Sequence, residues 1–188
     1  MEQMYTAEYA LNRLKEGNRK YIGAEVNTGD ISQHIRDETS AHGQHPYAII
    51  VACSDSREIP EAIFMSGIGE LFTIRVAGNV IADSQLGSIE YAAEHLGVPL
   101  TVVLGHTDCG AVGAAMSGAE GGYVGSITTD IRKAIRKEAD PCEASRRNVR
   151  WQADRIRKAF PEWTEKGTMK TIGALYHIST GEVEWLTD

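Results

Sequence analysis

Tyr-Ala-Ile-Ile-Val-Ala, residues 47–52, is a nearly unbroken apolar run, and it stops at the polar segment Cys53-Ser54-Asp55-Ser56-Arg57. A strand with one wet face alternates apolar and polar residues, whereas a strand covered on both faces does not. The run therefore predicts a buried strand of a parallel sheet that ends in a polar loop. Val98 to Gly105 repeats the pattern and ends at His106-Thr107-Asp108-Cys109-Gly110, with Pro99 at the start, where a missing N–H does least harm. Between the two runs, Pro60 opens a short helix to about Met65, Leu71 to Val76 reads as another strand, and Ala77-Gly78-Asn79 as a turn. Ser84 is the expected cap of a helix whose Leu86, Ile89, Ala93 and Leu96 share one face and which Gly97 stops.

Outside this block, Ala7, Ala10, Leu11 and Leu14 fall at helical spacing after Thr6. Residues 23–44 are polar and weakly periodic, and read as an extended arm or loop. Gly110 to Met116 reads as a short helix and Ser117 to Gly125 as a Gly-rich loop. Basic amphipathic helices are expected over about 126–139 and 142–160, with Pro161 at the end of the second. Residues 169–178 and 182–186 read as strands joined by a turn at Ser179-Thr180-Gly181. Strands alternating with helices predict one α/β domain over 1–188, a mainly parallel sheet flanked by helices. Its parts are an N-terminal helix and arm (about 1–45), a core (about 46–125), and C-terminal helices and strands (about 126–188). In such sheets ligands bind beyond the carboxyl ends of the strands, where both polar segments fall.

The bulk numbers narrow the partners. A net charge of -7 over 188 residues argues against nucleic acid. The basic residues between Arg132 and Lys158 are interleaved with Glu138, Asp140, Glu143 and Asp154, as on a solvated helical face. No apolar stretch is long enough to span a membrane, and Met1-Glu2-Gln3-Met4-Tyr5 lacks the basic-then-apolar order of a secretory signal. Three cysteines make no disulfide framework, so a reducing cytoplasm is expected.

Cys53, His106 and Cys109 together are the ligand set of a catalytic zinc site, with one position left for water. Either half alone is weak; two independent strand ends supplying complementary halves of one site are strong. Two thiolates and a neutral imidazole cancel the charge of Zn²⁺, which makes the metal a weaker Lewis acid than one held by three His. Its water needs help from its surroundings. Asp55 is placed to accept a hydrogen bond from that water, and Arg57 to keep Asp55 ionised and turned from the metal.

Cys-Ser-Asp-Ser-Arg (53–57) followed by Gly-His-Thr-Asp-Cys-Gly (105–110) resembles the β-class carbonic anhydrases, in their plant-like branch. The resemblance extends to Arg75–Asn79, to Gly87–Gly97, and to Gly173–Leu186 with Tyr176 and Trp185. It implies one zinc per chain on Cys53, His106 and Cys109, and a catalytic dyad of Asp55 and Arg57. It implies reversible hydration of CO₂ to bicarbonate and a proton, by attack of a zinc-held hydroxide. Gln44 matches a family Gln that hydrogen-bonds substrate, Phe72 and Tyr91 match aromatics lining an apolar slot, and Gly110 matches a residue whose N–H faces the bound anion. Several of these come from the neighbouring subunit in that branch, which implies a homodimer or a dimer of dimers. Val76 stands where the family usually has Asn. Ile50 and Ala52 stand where a bicarbonate-regulated subset has Trp and Gly, so the open form is expected near neutral pH, with Asp55 as a possible fourth ligand in a closed form at lower pH.

Two other functions fit the same residues. A carbonyl sulfide or carbon disulfide hydrolase would use the same nucleophile on another linear molecule. A non-catalytic zinc-stabilised binding or sensor domain would close the site with a fourth ligand, for which Cys142 is the remaining thiol. His34, His42, His45, His95 and His177 are candidates by type for moving the proton out.

Overall fold

In the computed structural model, residues 4–186 are described; residues 1–3, part of the N-terminus read above for a targeting signal, and residues 187–188 lie outside the described residues. The chain runs α1 (Ala7–Ile22), α2 (Gln33–His42), β1 (Ala48–Ala52), α3 (Pro60–Ile63), β2 (Leu71–Arg75), a 3-10 turn (Ala77–Asn79), α4 (Asp83–His95), β3 (Leu100–His106) and α5 (Gly110–Met116). It continues through α6 (Val124–Ile135), α7 (Pro141–Ala159), α8 (Pro161–Lys166), β4 (Lys170–Tyr176) and β5 (Val183–Leu186).

The five strands form one sheet in the order β2-β1-β3-β4-β5. The first four are parallel, and β5 returns antiparallel to β4 after the 179–181 turn. This is the expected single α/β domain with a mainly parallel sheet. Every residue of β1 and β3 is buried, which is why neither shows alternation in the sequence. Ala48, Ile50 and Ala52 face α1, while Ile49 and Val51 face α4 and α7. Both sides are covered, and the carboxyl end of the sheet stays open.

Local chemistry sets the element ends. The Thr6 hydroxyl accepts from the Tyr9 N–H at the start of α1, and Asp140 does the same for Glu143 at the start of α7. Gly17 lets α1 sit against the Phe64 carbonyl just after α3; a methyl group there would collide with that backbone. Gly105 on β3 and Gly173 on β4 lie under Val149, so α7 rests flat on the two strands.

Three expectations are corrected. Residues 23–44 are not all an extended arm, because α2 forms within them: Ser32 caps Ile35, and Gly43, with a φ of 84°, ends the helix. Helix α4 is not capped by Ser84. It starts at Asp83, and the Gln85 side chain accepts from the Ala82 N–H at 3.1 Å. Pro161 is not only a stop but opens α8, since Pro suits the first turn of a helix.

Candidate metal centre

β1 pairs directly with β3, with Val51 opposite Val103. The chain leaves β1 for β2 on one side and reaches β3 on the other, so a crevice opens between the carboxyl ends of β1 and β3. Cys53 follows the last residue of β1. His106 is the last residue of β3, and Cys109 immediately precedes α5.

The ligand atoms of Cys53, His106 and Cys109 all lie within 4.8 Å of one another, and all three residues are buried. His106 Nδ1 lies 2.8 Å from the Thr107 carbonyl oxygen, which can only accept, so Nδ1 carries the proton. Nε2 is then the bare acceptor. It is buried and makes no hydrogen bond, and Asp55 Oδ2 lies 3.8 Å away. A buried acceptor lone pair aimed at two thiols is costly unless something electrophilic sits among them. The thiol protons are shared unequally. A hydrogen bond from Cys109 draws the Cys53 thiol down towards ionisation, and the same bond with burial pushes Cys109 up. The Gly78 N–H also donates to Cys53 Sγ at 3.2 Å. Two sulfurs and one imidazole nitrogen converging in this way fit a tetrahedral Zn²⁺ with one position to spare.

Asp55 stands beside the trio but not in it. Arg57 grips it at both oxygens: Nε donates to Oδ1 at 2.9 Å and Nη2 to Oδ2 at 2.7 Å, and the Arg57 N–H adds a 3.0 Å bond to Oδ1. These bonds from Arg57 hold the carboxyl well below the usual carboxylate range. Arg57 is anchored in turn on the Asp108 carbonyl at 3.2 Å. Gly110 opens α5 directly after Cys109, next to the same crevice.

Sequence reasoning missed three groups here. Arg75, at the end of β2, donates to the Cys53 carbonyl at 3.0 Å and to the Asp55 carbonyl at 2.7 Å, which pins the loop between them. Glu58 is fully buried; its Oε2 accepts from the Cys53 N–H at 2.7 Å, and burial pushes its carboxyl up to about 8. Asn148 of α7 donates to the Gly78 carbonyl at 2.9 Å. Their link to the site is spatial. Arg75 fell in a segment that carries the resemblance but was given no role there, and Glu58, five residues from Cys53, carried a signal as a charged residue just before a helix-opening Ile59-Pro60.

The structure does not bring Gln44, Phe72 and Tyr91 to this crevice within one chain. Phe72 pairs with Ile49, three rungs before the Ala52–Arg75 pair and so about 10 Å back along the sheet. Tyr91 on α4 packs against Phe72 at a ring separation of 6.2 Å and is 49% exposed. Gln44 is exposed and precedes the amino end of β1. Cys142 lies in the first turn of α7, outside the Cys–His–Cys group. Among the candidate histidines, His177 bonds Glu184 at 3.1 Å, His95 packs on Tyr91, and His42 lies 3.4 Å from Glu38. Among the described residues no helix is long and apolar enough to cross a membrane.

Comparison with known proteins follows the same line. The sequence model of a family described as carbonic anhydrase matches residues 48–183. The chain is 37% identical to a carbonic anhydrase of Mycolicibacterium smegmatis over 189 aligned positions, covering 93% of this chain and 91% of that one. The crystal structure of the β-carbonic anhydrase CafA of Aspergillus fumigatus superposes with a TM-score of 0.69 at 30% identity, over 82% of this chain and 83% of that one. A tetrameric β-carbonic anhydrase of Sordaria macrospora shares the fold with a TM-score of 0.71 at 23% identity, over 82% and 87% of the two chains.

Proposed function

The chain belongs to the β-class carbonic anhydrases and catalyses the reversible hydration of CO₂; we propose that it does so on a zinc ion held by Cys53 Sγ, His106 Nε2 and Cys109 Sγ, with Asp55 and Arg57 as the catalytic dyad. The observation that carries this reading is His106 Nε2, a buried acceptor with no partner within reach of two thiol sulfurs. When bound, zinc supplies a Lewis acid that brings the ionisation of water towards neutral pH.

The chain's own residues do the rest. Asp55, kept ionised by Arg57, accepts a hydrogen bond from the attacking water and so fixes which lone pair faces CO₂. Because Arg57 occupies both carboxylate oxygens, Asp55 is held off the metal position, and the open form is the resting arrangement near neutral pH. A closed form at lower pH, with the Asp55 carboxylate as fourth ligand, would require the Arg57 fork to be broken while Asp55 stays ionised. The Gly110 N–H, at the mouth of the crevice, faces the bicarbonate oxygen. Two of the ligands must be thiolates, which supports a reducing compartment such as the cytoplasm.

The active unit in this reading is at least a homodimer. Gln44, Phe72 and Tyr91 sit at the far end of the sheet from the metal group of their own chain, and the Phe72–Tyr91 face is left half open. A second copy would cover that face and receive these three side chains at its own crevice. The β-carbonic anhydrase of Sordaria macrospora, which shares the fold, is tetrameric, and this supports an assembly of more than one copy.

Metal analysis with stopped-flow CO₂ hydration tests the assignment. Cys53→Ser should lose zinc and activity together. Asp55→Ala should keep its zinc and lose about a hundredfold or more in kcat; wild-type turnover in that variant would remove Asp55 from the mechanism. Cys142→Ser should keep both, and a loss of zinc there would instead favour a closed structural site. Parallel assays with carbonyl sulfide should show a preference for CO₂.

A further inference from the structure

A line of buried amides runs from the protein surface to the sulfur of Cys53. At its inner end the Gly78 N–H donates to Cys53 Sγ at 3.2 Å. The Gly78 carbonyl accepts from Asn148 Nδ2 at 2.9 Å, and Asn148 Oδ1 accepts from Gln152 Nε2 at 3.2 Å. Gln152 Nε2 also donates to Asp130 Oδ2 at 2.8 Å, and the same oxygen takes Arg155 Nη1 at 2.8 Å. Gln152 Oε1 accepts from the Ile81 N–H at 2.9 Å. Asn148 and Gln152 are one helical turn apart on α7 and are 1% and 0% exposed.

The polarity of the line is fixed. A carboxylate can only accept, so Asp130 forces Gln152 to present its NH₂. That leaves Asn148 to accept on Oδ1 and to donate from Nδ2 to Gly78. Gly78 needs such a clamp. Its φ of 69° lies in the left-handed region, and any side chain there would meet Ile131 Cδ1 at 2.7 Å, so the position must be glycine. Glycine is also the residue most free to rotate away. Two buried amides on a helix face that packs on a sheet lose hydration that apolar residues of similar size would not lose. Anchoring the 77–81 segment to α7 accounts for the bonds to Gly78 and Ile81, but the segment also carries a backbone donor to the Cys53 sulfur, the Gly78 N–H, beside that of Asp55.

We propose that Asn148 is a positioning residue for the Cys53 thiolate: oriented by Gln152 and Asp130, it holds Gly78 so that the Gly78 N–H stays on the sulfur. A hydrogen bond to a metal-bound thiolate withdraws electron density from it. With less charge donated by that sulfur, a bound metal would be the stronger Lewis acid, and water on it would ionise at lower pH. In a site with two thiolates this offsets part of the charge that the ligands donate. The proposal rests on Cys53 being a metal ligand.

The test uses the full-length protein with Co²⁺ in place of zinc, because sulfur-to-cobalt charge transfer reports the electron density on the thiolate directly. Asn148→Leu should move that band to longer wavelength, raise the pH midpoint of kcat in the zinc enzyme, leave KM nearly unchanged, and weaken metal retention against a chelator about tenfold. Ile156→Ala, a buried change elsewhere on α7, calibrates the effect of a loosened helix and should move neither the band nor the pH midpoint. If both positions are unchanged in folded Asn148→Leu, the proposal is overturned. If that variant does not fold, Gln152→Leu reads the same band, and an unshifted band there overturns it equally. Failure of the underlying reading looks different: wild-type protein would take up no cobalt, or Cys53→Ser would leave the charge-transfer band intact.

Discussion

Asp55 and Glu184 show how little of an ion pair's value lies in the pair itself. Arg57 offers Asp55 a planar fork matched to both carboxylate oxygens, and lysine offers a single point charge. Arg57→Lys therefore keeps the charge and loses the geometry. We expect zinc content unchanged, kcat down about tenfold, and a pH profile displaced upward as Asp55 turns towards the metal; an unchanged pH profile would show that charge alone suffices. Glu184 on β5 is gripped by Arg146 from α7, at 2.9–3.1 Å, and by His177. Arg146, then His177, lowers its pKa. Because the folded pKa is depressed, the stabilisation is present above the unfolded carboxylate range and disappears as pH falls through the folded value. The pair is partly exposed, so screening limits it to about 0.5–1 kcal/mol. Glu184→Gln should thus lower the urea midpoint at pH 7, and by progressively less as pH falls below the unfolded carboxylate range.

At the scale of elements, the helix contacts are set by glycines rather than by large side chains. Gly17→Ala would force α1 off the Phe64 carbonyl, because the obstacle is backbone and cannot swing aside. A loss of about 1–3 kcal/mol is expected, read as a lower thermal midpoint, with the metal group across the sheet keeping its zinc. The sequence was most legible where burial was complete. β1 and β3 are covered on both faces, so their apolar runs announced both the strands and the parallel sheet. It was least legible where burial was absent: α2 has no buried residue, hence no apolar stripe, and only the Ser32 cap and Gly43 marked its limits. Helix α8 was hidden because Pro161 serves equally as a stop and as a first helical residue. The candidate ligands Cys53, His106 and Cys109 stood out because each falls at or just past the end of such a run, and the structure brings them together. Arg75 and Gly78 stood in a segment that carries the resemblance, but their roles, like the whole of Asn148, were hidden because they come from neighbours that only the fold supplies.

For the whole molecule, the separation of Gln44, Phe72 and Tyr91 from the metal group of their own chain predicts that activity belongs to the assembly. Diluting the enzyme through its dissociation range should lower kcat/KM per chain while zinc stays bound; constant activity in monomers confirmed by sedimentation would overturn the shared-crevice reading. Tyr91→Glu, which places a charge in the half-open aromatic face, should weaken assembly and activity in step. The strand order has a consequence in time. β3 lies between β1 and β4, yet β4 is synthesised last of the four parallel strands, more than sixty residues after β3 ends. A growing chain therefore holds all three candidate metal ligands while one side of its central strand is still unpaired, an edge open to the wrong neighbour. Metal captured at that stage would tie β1 to β3 and leave β4 a formed edge on which to dock. In cell-free synthesis, zinc present from the start should thus yield more active enzyme than the same zinc added at the end, as expected of an ion that would guide assembly as well as catalysis.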